Sequence, residues 1–457
     1  MVRSVFGRWA SLMLLVVGLS CPGIALALPS DTAQVRVRLK HTSALETVEL
    51  TVREGPLAVH LPGGGRPVMR LQSGETTTLG IRQDDVYVRR GSNGLYARTL
   101  RIRPAGRSAK WALDFNSGTR TYTGSLYLAP APEAGTNLLV VNNVPIEDYV
   151  ASVVASEYGL DDEAGKKAMA VVARTYGLFT SEKFGGTYDQ ADGTASQVYE
   201  GVGAVTPASR RATKATEGQI LTHGGTLIQA VYFSSSGGHT ANNEDVWNAK
   251  RPIPYLRGKK DPYDTQSPHH TWSTAVDRPA LLRTLSRRHG QSVRGFTIGE
   301  RSEDGRVRTI NLLESGGGRH EMNANTFRLA VNQGIDGARL KSTWFDARRS
   351  GNQYVFDGRG FGHGVGLSQW GAHAMATQGK SYREILRFYY TDVSLDQLDG
   401  VEADPVDAPV ARTPPPPEND APTAVQDAPT TNAPSATPDD EDDKDDDEPR
   451  TTRRIGW

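Results

Sequence analysis

The chain has 457 residues, equal numbers of acidic and basic side chains, and a single cysteine, Cys21. Its length allows two or more domains. Cys21 lies in the predicted signal peptide described below, so the mature chain would contain no cysteine. Disulfides, cysteine catalysis and thiolate metal sites are therefore excluded. The balanced charge conceals an asymmetry, because residues 397–457 carry 16 acidic and 5 basic side chains; the moderately basic remainder suits an anionic polymer or, equally, an ordinary soluble surface.

Residues 1–27 have the pattern of a secretory signal peptide. A charged start with Arg3 and Arg8 precedes the apolar run "LMLLVVGL", and the small-residue sequence "ALA" follows. This order predicts a signal peptide that is cleaved after Ala27, and the apolar run is too short for a good membrane span. We therefore expect export to the periplasm or cell wall, with no membrane span in the mature chain. An uncleaved anchor is the alternative.

Residues 28–124 predict a β-rich N-terminal region. Segments such as "VRVRLKH", "VELTVRE" and "RTLRIRP" alternate apolar and polar side chains, as half-buried strands do. The stretches "PGGG" and "SGE" are typical of turns. The strand pattern continues past residue 124 in "TYTGSLYLAP" and "NLLVVNN". We find no catalytic combination of residue types in this region.

Residues 125–396 mix helical and strand patterns, so the predicted fold class is α+β. The stretch "VPIEDYVASVVASEYG" predicts a first helix, with proline near its start and glycine after its end, and "EAGKKAMAVVARTYGLFTSEKFGG" predicts a second. Residues 217–233 predict a hairpin that turns at a Gly-Gly pair. Residues 278–345 predict further helix and strand, and residues 368–378 predict a helix.

Residues 397–457 change abruptly in composition. Segments such as "TPPPPEND" and "DDEDDKDDDE" cannot bury enough apolar surface to fold. The sequence therefore predicts a disordered acidic tail. This tail is either a solvated spacer or a segment that contacts a basic partner or the body of the chain.

Glu157 ends an otherwise apolar stripe on the first predicted helix. Ile146, Val150, Val153 and Glu157 follow one another at steps of 4, 3 and 4, which places them on one helix face. A carboxyl group at the edge of an apolar surface is desolvated and its pKa rises. A general acid for glycoside cleavage needs such a raised pKa. A glutamate that reaches solvent at a frayed helix end is the alternative.

Glycoside hydrolases normally need a second carboxylate, and none stands near Glu157 in the sequence. Asp261 and Asp264 are candidates, with Glu244 and Asp245 behind them. A single acid that later acts as a base would instead suit a lytic mechanism, in which a hydroxyl of the sugar replaces water.

Other kinds of catalysis are weakly indicated. The stretch "VYFSSSGGHT" has three serines, but no G-x-S-x-G elbow is present. We therefore expect Ser236 and its neighbours to hydrogen-bond sugar hydroxyls or backbone groups. The histidines are scattered without a metal-binding spacing, so the sequence predicts no metal site and no cofactor.

A run of alternating glycines, "GRGFGHGVG", extends from Gly358 to Gly366. If this run is a strand, one of its faces carries no side chains, and such a face indicates close approach of another chain segment or of a glycan. The spacing does not fit a nucleotide-binding loop. His363 lies at the centre of this run. We expect it either to orient or contact a sugar or to be a buried structural residue.

Several separate motifs occur in a fixed order: "VPIEDYVASVVASEYG", "AMAVVARTY", "SQVYEG", "SSSGGHT", "PYL", "LKSTWF" and "GRGFGHGVGLSQWGAHAMA". Over about residues 125–396 the chain thereby resembles the stage II sporulation protein D family. The resemblance implies an exported bacterial protein that acts on peptidoglycan. Catalytic members of the family are lytic transglycosylases, which cleave between N-acetylmuramic acid and N-acetylglucosamine and leave 1,6-anhydro ends. They prefer glycan strands from which an amidase has removed the stem peptides.

The resemblance also implies roles for individual residues. The family's catalytic glutamate falls on Glu157, and residues around its cleft fall on Gln197, Thr240 and Tyr255. Some members bind zinc through His and Cys residues just before the Q-x-Y motif. The corresponding segment here, "YDQADGTASQVY", contains neither residue type, so we expect no zinc.

Three functional hypotheses remain open. The main hypothesis is a lytic transglycosylase that acts on peptidoglycan glycan strands, with an N-acetylmuramoyl-L-alanine amidase as a partner and no nucleic acid partner. Because the family also includes amidase enhancers, a non-catalytic wall-binding enhancer is the main alternative. A purely structural envelope protein is a third.

Overall fold

The computed structural model of the chain describes residues 33–400 apart from 42, 180–183 and 248. The predicted signal peptide and residues 401–457 lie outside the described residues. Helices and strands both contribute, which confirms the predicted mixed α+β class. In this part of the chain, no helix is long and apolar enough to cross a membrane.

The first described strands form a β-sandwich. Its strands are β1 Gln34–Arg38, β2 Thr47–Glu54, β3 Leu57–His60, β4 Met69–Leu71, β5 Thr76–Arg82, β6 Asp85–Arg90, β7 Asn93–Ala97, β8 Leu100–Pro104, β9 Lys110–Phe115, β10 Gly118–Tyr122, β11 Ser125–Ala131 and β12 Ala134–Pro145, joined later by β13 Gln190–Ala191. One sheet has the order β13-β1-β12-β11-β8-β3-β4 and the other β10-β9-β2-β5-β6-β7. Their inner faces share one core, in which Val37, Leu50 and Leu128 are fully buried. Because β11 and β12 belong to this sandwich, it extends across the predicted boundary at residue 124.

Helices pack onto the same core directly after the sandwich. These elements are α1 Ile146–Glu157, α2 Glu163–Leu178, α3 Pro207–Ala215, β14 Gln219–His223, β15 Thr226–Leu227, β16 Tyr232–Phe233 and α4 Asn243–Trp247. The hairpin of β14 and β15 turns at the predicted Gly-Gly pair. The second predicted helix is shorter than expected, since it ends at Leu178, where Phe179 adopts an extended backbone conformation.

A separate apolar core lies in the following segment. Its elements are β17 Thr271–Asp277, α5 Arg278–His289, β18 Val293–Ile298, β19 Thr309–Glu314, β20 Arg319–Asn323, α6 Ala324–Gly334, β21 Phe345–Ser350 and β22 Gln353–Arg359. Phe327, Phe345 and Phe356 are fully buried there and contact one another. The chain then returns to the first core through β23 Leu367–Ser368, α7 Gln369–Thr377, α8 Tyr382–Tyr389 and β24 Ser394–Gln397. The strand β24 pairs with β14 and therefore includes the first residue of the predicted tail.

The glycine run is not the extended strand that its alternation predicts. Only Gly358 and Arg359 belong to β22, whereas Gly360, Gly362, Gly364 and Gly366 have φ values of 73°, 104°, 87° and 80°. These values lie in the left-handed region, which glycine adopts at low cost. The predicted close approach is confirmed: a Cβ at Gly360 would lie 2.7 Å from the Ser235 carbonyl oxygen.

Gly366 offers a direct test of this packing. A Cβ there would overlap the carbonyl oxygen of Val231, whereas Gly379 has a similar φ, 83° against 80°, with open space around it. Both Gly→Ala variants pay for the left-handed backbone, but only Gly366→Ala must displace a backbone group. We expect Gly366→Ala to lower the free energy of unfolding by at least about 2 kcal/mol more than Gly379→Ala. Chemical denaturation measures both, and equal losses would contradict the close approach.

Candidate active site

Glu157 is the last residue of α1 and lies in the protein interior. Its exposed fraction is only 5%, and Ile146, Val150 and Val153 on the same helix face are fully buried. The predicted apolar stripe is therefore confirmed. One carboxylate oxygen accepts a hydrogen bond from the backbone N–H of Val198 at 2.7 Å.

The environment of Glu157 changes its acidity. Burial raises the pKa of Glu157 from 4.5 to about 7, while the hydrogen bond from the Val198 N–H and the nearby Tyr232 hydroxyl oppose the rise. The C-terminal end of α1 acts in the same direction as burial, because the negative end of a helix dipole disfavours a carboxylate. Near neutral pH this carboxyl group can therefore donate a proton and later accept one.

Hydrogen bonds connect the polar groups next to Glu157. The Tyr149 hydroxyl donates to Gln197 Oε1 at 2.9 Å, and Gln197 Nε2 donates to the Tyr232 hydroxyl oxygen at 3.2 Å. The Tyr232 hydroxyl also lies beside the Glu157 carboxyl group, whose pKa it lowers. Burial, reinforced by the charge of Glu157, raises the pKa of Tyr176 to about 12. The structure thus brings two predicted residues, Glu157 and Gln197, together in a cluster rich in tyrosine.

The sequence does not single out the three tyrosines of this cluster. Tyr149 and Tyr176 lie on α1 and α2, where helical spacing could have placed them towards the core. Tyr232 lies in β16, which has only two residues and therefore no periodicity. The donor from Val198 is a backbone group, and no side-chain pattern could indicate it.

The segment after the glycine run contacts the end of α1 at Glu157. Gln369, the first residue of α7, donates from Nε2 to the backbone carbonyl of Glu157 at 3.1 Å. Ser368 caps α7, since its hydroxyl accepts a hydrogen bond from the Gly371 N–H. The closely packed glycine run therefore positions the start of α7 against the end of α1.

The other end of α1 is fixed by an ion pair. Glu147, in the first turn of α1, binds the fully buried guanidinium of Arg174 on α2 through two contacts, at 2.8 and 2.6 Å. This two-point geometry restrains both position and orientation. Glu147 is therefore structural, and it holds α1 against α2.

Asp264 organises the serine-rich turn, which consists of residues 234–238 and contains Ser236. Its carboxylate is fully buried and accepts hydrogen bonds from the Ser235 hydroxyl at 2.8 Å and from the N–H groups of Ser236 and Gly237 at 3.0 and 2.8 Å. The Ser368 hydroxyl is a further donor, at 3.1 Å. The structure therefore brings the predicted candidates Ser236 and Asp264 together, because the Asp264 carboxylate binds the turn that contains Ser236. The same carboxylate binds Ser368 at the start of α7.

The remaining candidate carboxylates have partners of their own. Asp261 accepts a hydrogen bond from the Tyr389 hydroxyl at 3.0 Å, and burial together with the neighbouring charge of Asp264 raises its pKa to about 6. Glu244 and Asp245 each form an ion pair with an arginine. The Glu244 carboxylate lies 2.7 Å from a guanidinium nitrogen of Arg257, and the Asp245 carboxylate lies 3.3 Å from a guanidinium nitrogen of Arg308.

Thr240 and Tyr255 make hydrogen bonds within neighbouring loops. The Thr240 hydroxyl donates to the Lys259 carbonyl at 3.3 Å and accepts from the Lys259 N–H at 2.9 Å. The Tyr255 hydroxyl accepts from the Gln229 N–H at 3.2 Å. Across the described ranges, no hydrogen bond joins either side chain to Glu157.

His363 connects the glycine run to β16. Its Nε2 donates to the Tyr232 carbonyl at 2.9 Å, while its Nδ1 accepts from the Val365 N–H at 3.1 Å. Burial and the positive charges of Arg328 and Arg306 lower the pKa of His363 to about 3. The imidazole is therefore neutral at physiological pH, and both of its ring nitrogens bind backbone groups. These contacts match the structural alternative for His363.

In the part of the chain that the structure describes, the His, Cys, Asp and Glu side chains are the candidates for a metal site. Within the residues that the structure describes, no group of three or more His, Cys, Asp or Glu side chains is arranged to hold a metal ion. The arrangement around Glu157 can instead supply proton transfer by one carboxyl group, with phenol and amide groups as hydrogen-bonding neighbours.

The raised pKa of Glu157 predicts a pH-dependent effect on stability. Between pH 4.5 and about 7 the unfolded chain releases a proton that the native state retains, so stability falls as the pH rises through this range. Glu157→Gln removes this loss. We expect the variant to gain up to about 3 kcal/mol of unfolding free energy relative to the unsubstituted protein between pH 4.5 and pH 8.

Thermal unfolding at the two pH values measures this difference. Glu163→Gln is the matched control, because that carboxylate is solvated and its pKa is lowered by the side chain of Lys167. A pH-independent effect of Glu157→Gln would mean that the carboxyl group titrates normally.

Comparisons with known proteins agree with the predicted resemblance. A family model described as "Stage II sporulation protein" matches residues 134–223, a range that contains Glu157 and Gln197. Stage II sporulation protein D of Bacillus amyloliquefaciens is 31% identical over 277 residues, which cover 57% of this chain and 76% of that protein.

Two further relatives extend the comparison. The amidase enhancer of Bacillus subtilis strain 168 is 30% identical over 271 residues, which cover 50% of this chain but only 37% of that protein. An uncharacterised protein of Brachyspira hyodysenteriae is 28% identical over 352 residues, which cover 76% of this chain and 92% of that protein. On the identity and coverage shared with the Bacillus amyloliquefaciens protein, this chain belongs to the stage II sporulation protein D family.

Proposed function

We propose that this protein is an exported lytic transglycosylase that cleaves peptidoglycan glycan strands between N-acetylmuramic acid and N-acetylglucosamine, with Glu157 as its catalytic acid and base. The observation that carries the proposal is the burial of Glu157, which raises the pKa of its carboxyl group to about 7. A carboxyl group with this pKa is protonated in a large fraction of molecules at neutral pH, as a general acid must be.

In the proposed reaction, Glu157 acts twice. Its carboxyl proton moves to the glycosidic oxygen as the bond from that oxygen to the anomeric carbon breaks. The C6 hydroxyl oxygen of the muramic acid then bonds to the anomeric carbon, and its proton passes to the Glu157 carboxylate. The acid is thereby regenerated, no water is consumed, and a 1,6-anhydro end remains.

Two features support a single-acid mechanism. The carboxylates of Asp261 and Asp264 are directed to a tyrosine hydroxyl and to the serine-rich turn, respectively, which leaves Glu157 as the candidate acid. Gln197 donates a hydrogen bond to the Tyr232 hydroxyl, which lies beside the Glu157 carboxyl group and lowers its pKa. Because Tyr232 is only part-buried, a bound glycan could contact it and uncover the carboxyl group. Ser236, Thr240, Tyr255 and His363 remain predictions as sugar-binding residues.

An amidase enhancer is the second candidate function, because one relative carries that name. The test uses the purified protein and glycan strands from which the stem peptides have been removed. We expect soluble saccharides to form without any amidase. If no saccharide forms, while a cell-wall amidase is stimulated equally by the unsubstituted protein and by Glu157→Gln, the enhancer function is correct and the enzymatic one is wrong.

A further inference from the structure

The seven-stranded sheet of the sandwich has an unusual charge pattern. Its strands β1, β3, β4, β8, β11, β12 and β13 contain no Asp or Glu. Five arginines nevertheless lie in these strands: Arg36, Arg38, Arg70, Arg101 and Arg103. In β8 the apolar side chains Leu100 and Ile102 are buried, whereas Arg101 and Arg103 are exposed, so these two arginines lie on the outer face of the sheet.

Two of these arginines are neutralised locally. Arg36 forms an ion pair with Asp189 at 2.6 Å, and Arg38 forms one with Glu133. Both pairs lie at the β13 and β1 edge of the sheet. Arg70, Arg101 and Arg103, at the opposite edge, have no carboxylate partner among the residues that the structure describes.

The strand register places these three arginines close together. Arg103 and Arg70 both lie opposite Ala58, one on each neighbouring strand, and Arg101 lies opposite His60. Residues opposite each other in antiparallel strands share a face, so the arginines form one patch on β4, β3 and β8. Strand geometry separates Arg101 from Arg103 by about 7 Å and Arg103 from Arg70 by about 10 Å.

We propose that the acidic segment 439–448 of this same chain binds the arginine patch formed by Arg70, Arg101 and Arg103. The segment reads "DDEDDKDDDE" and carries nine carboxylates in ten residues. Carboxylates that alternate along an extended chain are spaced by about 7 Å, which matches the spacing of Arg101 and Arg103. Arginine binds carboxylates with two parallel hydrogen bonds, so this pairing has both charge and geometric complementarity.

The connecting chain is long enough for this contact. Residues 401–438 separate the last described residue from the acidic segment, and 38 residues span up to about 125 Å when extended. A folded chain of this size has a radius of gyration of only about 21 Å. Because the segment is tethered, its effective concentration at the patch is in the millimolar range, which favours it over an anionic polymer in solution.

Arginine footprinting on the full chain tests the proposal. Phenylglyoxal modifies accessible guanidinium groups, and mass spectrometry measures the rate at each arginine. The matched variant replaces every Asp by Asn and every Glu by Gln within 439–448. We expect modification of Arg70, Arg101 and Arg103 to be at least about threefold slower in the unsubstituted chain than in this variant, which corresponds to two-thirds occupancy.

Arg283 and Arg287 on α5 are the internal control, because both are exposed and lie on another part of the fold. Their rates should not change between the two proteins. The slowing at the patch should disappear in 1 M salt, where the Debye length is about 3 Å. Equal rates at the patch in both proteins would overturn the proposal. Protection that requires added polyphosphate would also overturn it, because the occupant would then be an external polyanion.

Discussion

Glu157→Gln is expected to lower the rate of glycan cleavage by a factor of roughly 10²–10⁴, the usual contribution of a general acid or base. Glutamine keeps the size of the side chain, and its amide oxygen can still accept the hydrogen bond from Val198. It cannot donate a proton to the glycosidic oxygen or take one from a sugar hydroxyl. Release of soluble saccharide from peptide-stripped glycan strands measures the effect.

Two controls separate lost chemistry from lost structure. Glu163→Gln makes the same substitution at an exposed residue on the neighbouring helix α2, where it removes only a surface ion pair with Lys167, and it should leave the cleavage rate unchanged. Glu157→Gln should still sediment with insoluble glycan as the unsubstituted protein does. If Glu157→Gln cleaved glycan at the unsubstituted rate, another residue would have to supply the proton.

The second large effect concerns stability. Asp264→Ala is expected to lower the free energy of unfolding by about 3–5 kcal/mol, the usual cost of removing one partner from a buried charged network. The substitution leaves two buried N–H groups and two hydroxyls, those of Ser235 and Ser368, without their acceptor. Chemical denaturation measures the loss.

The control for this prediction is Asp346→Ala. Asp346 is paired with Arg301, but its side chain is 88% exposed, and exposed pairs contribute at most about 1 kcal/mol. A loss for Asp264→Ala that is no larger than the loss for Asp346→Ala would contradict the assignment of Asp264 as the organiser of the serine-rich turn.

Features that depend on local periodicity could be predicted from the sequence. The apolar stripe on α1 identifies Glu157 because steps of 4, 3 and 4 residues define one helix face, and burial of that face then raises the pKa. The strands of the sandwich follow from the alternation of apolar and polar side chains in the same way.

Features that depend on contacts distant in sequence could not be predicted. The Tyr232 side chain lies beside Glu157 only because β16 pairs with β23, next to the start of α7. The Asp264 carboxylate likewise binds a turn that precedes it by nearly 30 residues. The glycine run illustrates both cases: its alternation correctly indicated close packing, but its left-handed φ values accompany contacts with Arg306 and with residues 231–236, which lie far away in the sequence.

The central claim is that a single carboxyl group cleaves the glycan without water. The measurement that tests it most directly is mass spectrometry of the products that the unsubstituted protein forms from peptide-stripped glycan in ¹⁸O-labelled water. We predict products that end in 1,6-anhydro-N-acetylmuramic acid and contain no ¹⁸O. Products with a reducing end that carries one ¹⁸O atom would mean that water attacks the anomeric carbon, and they would contradict the mechanism.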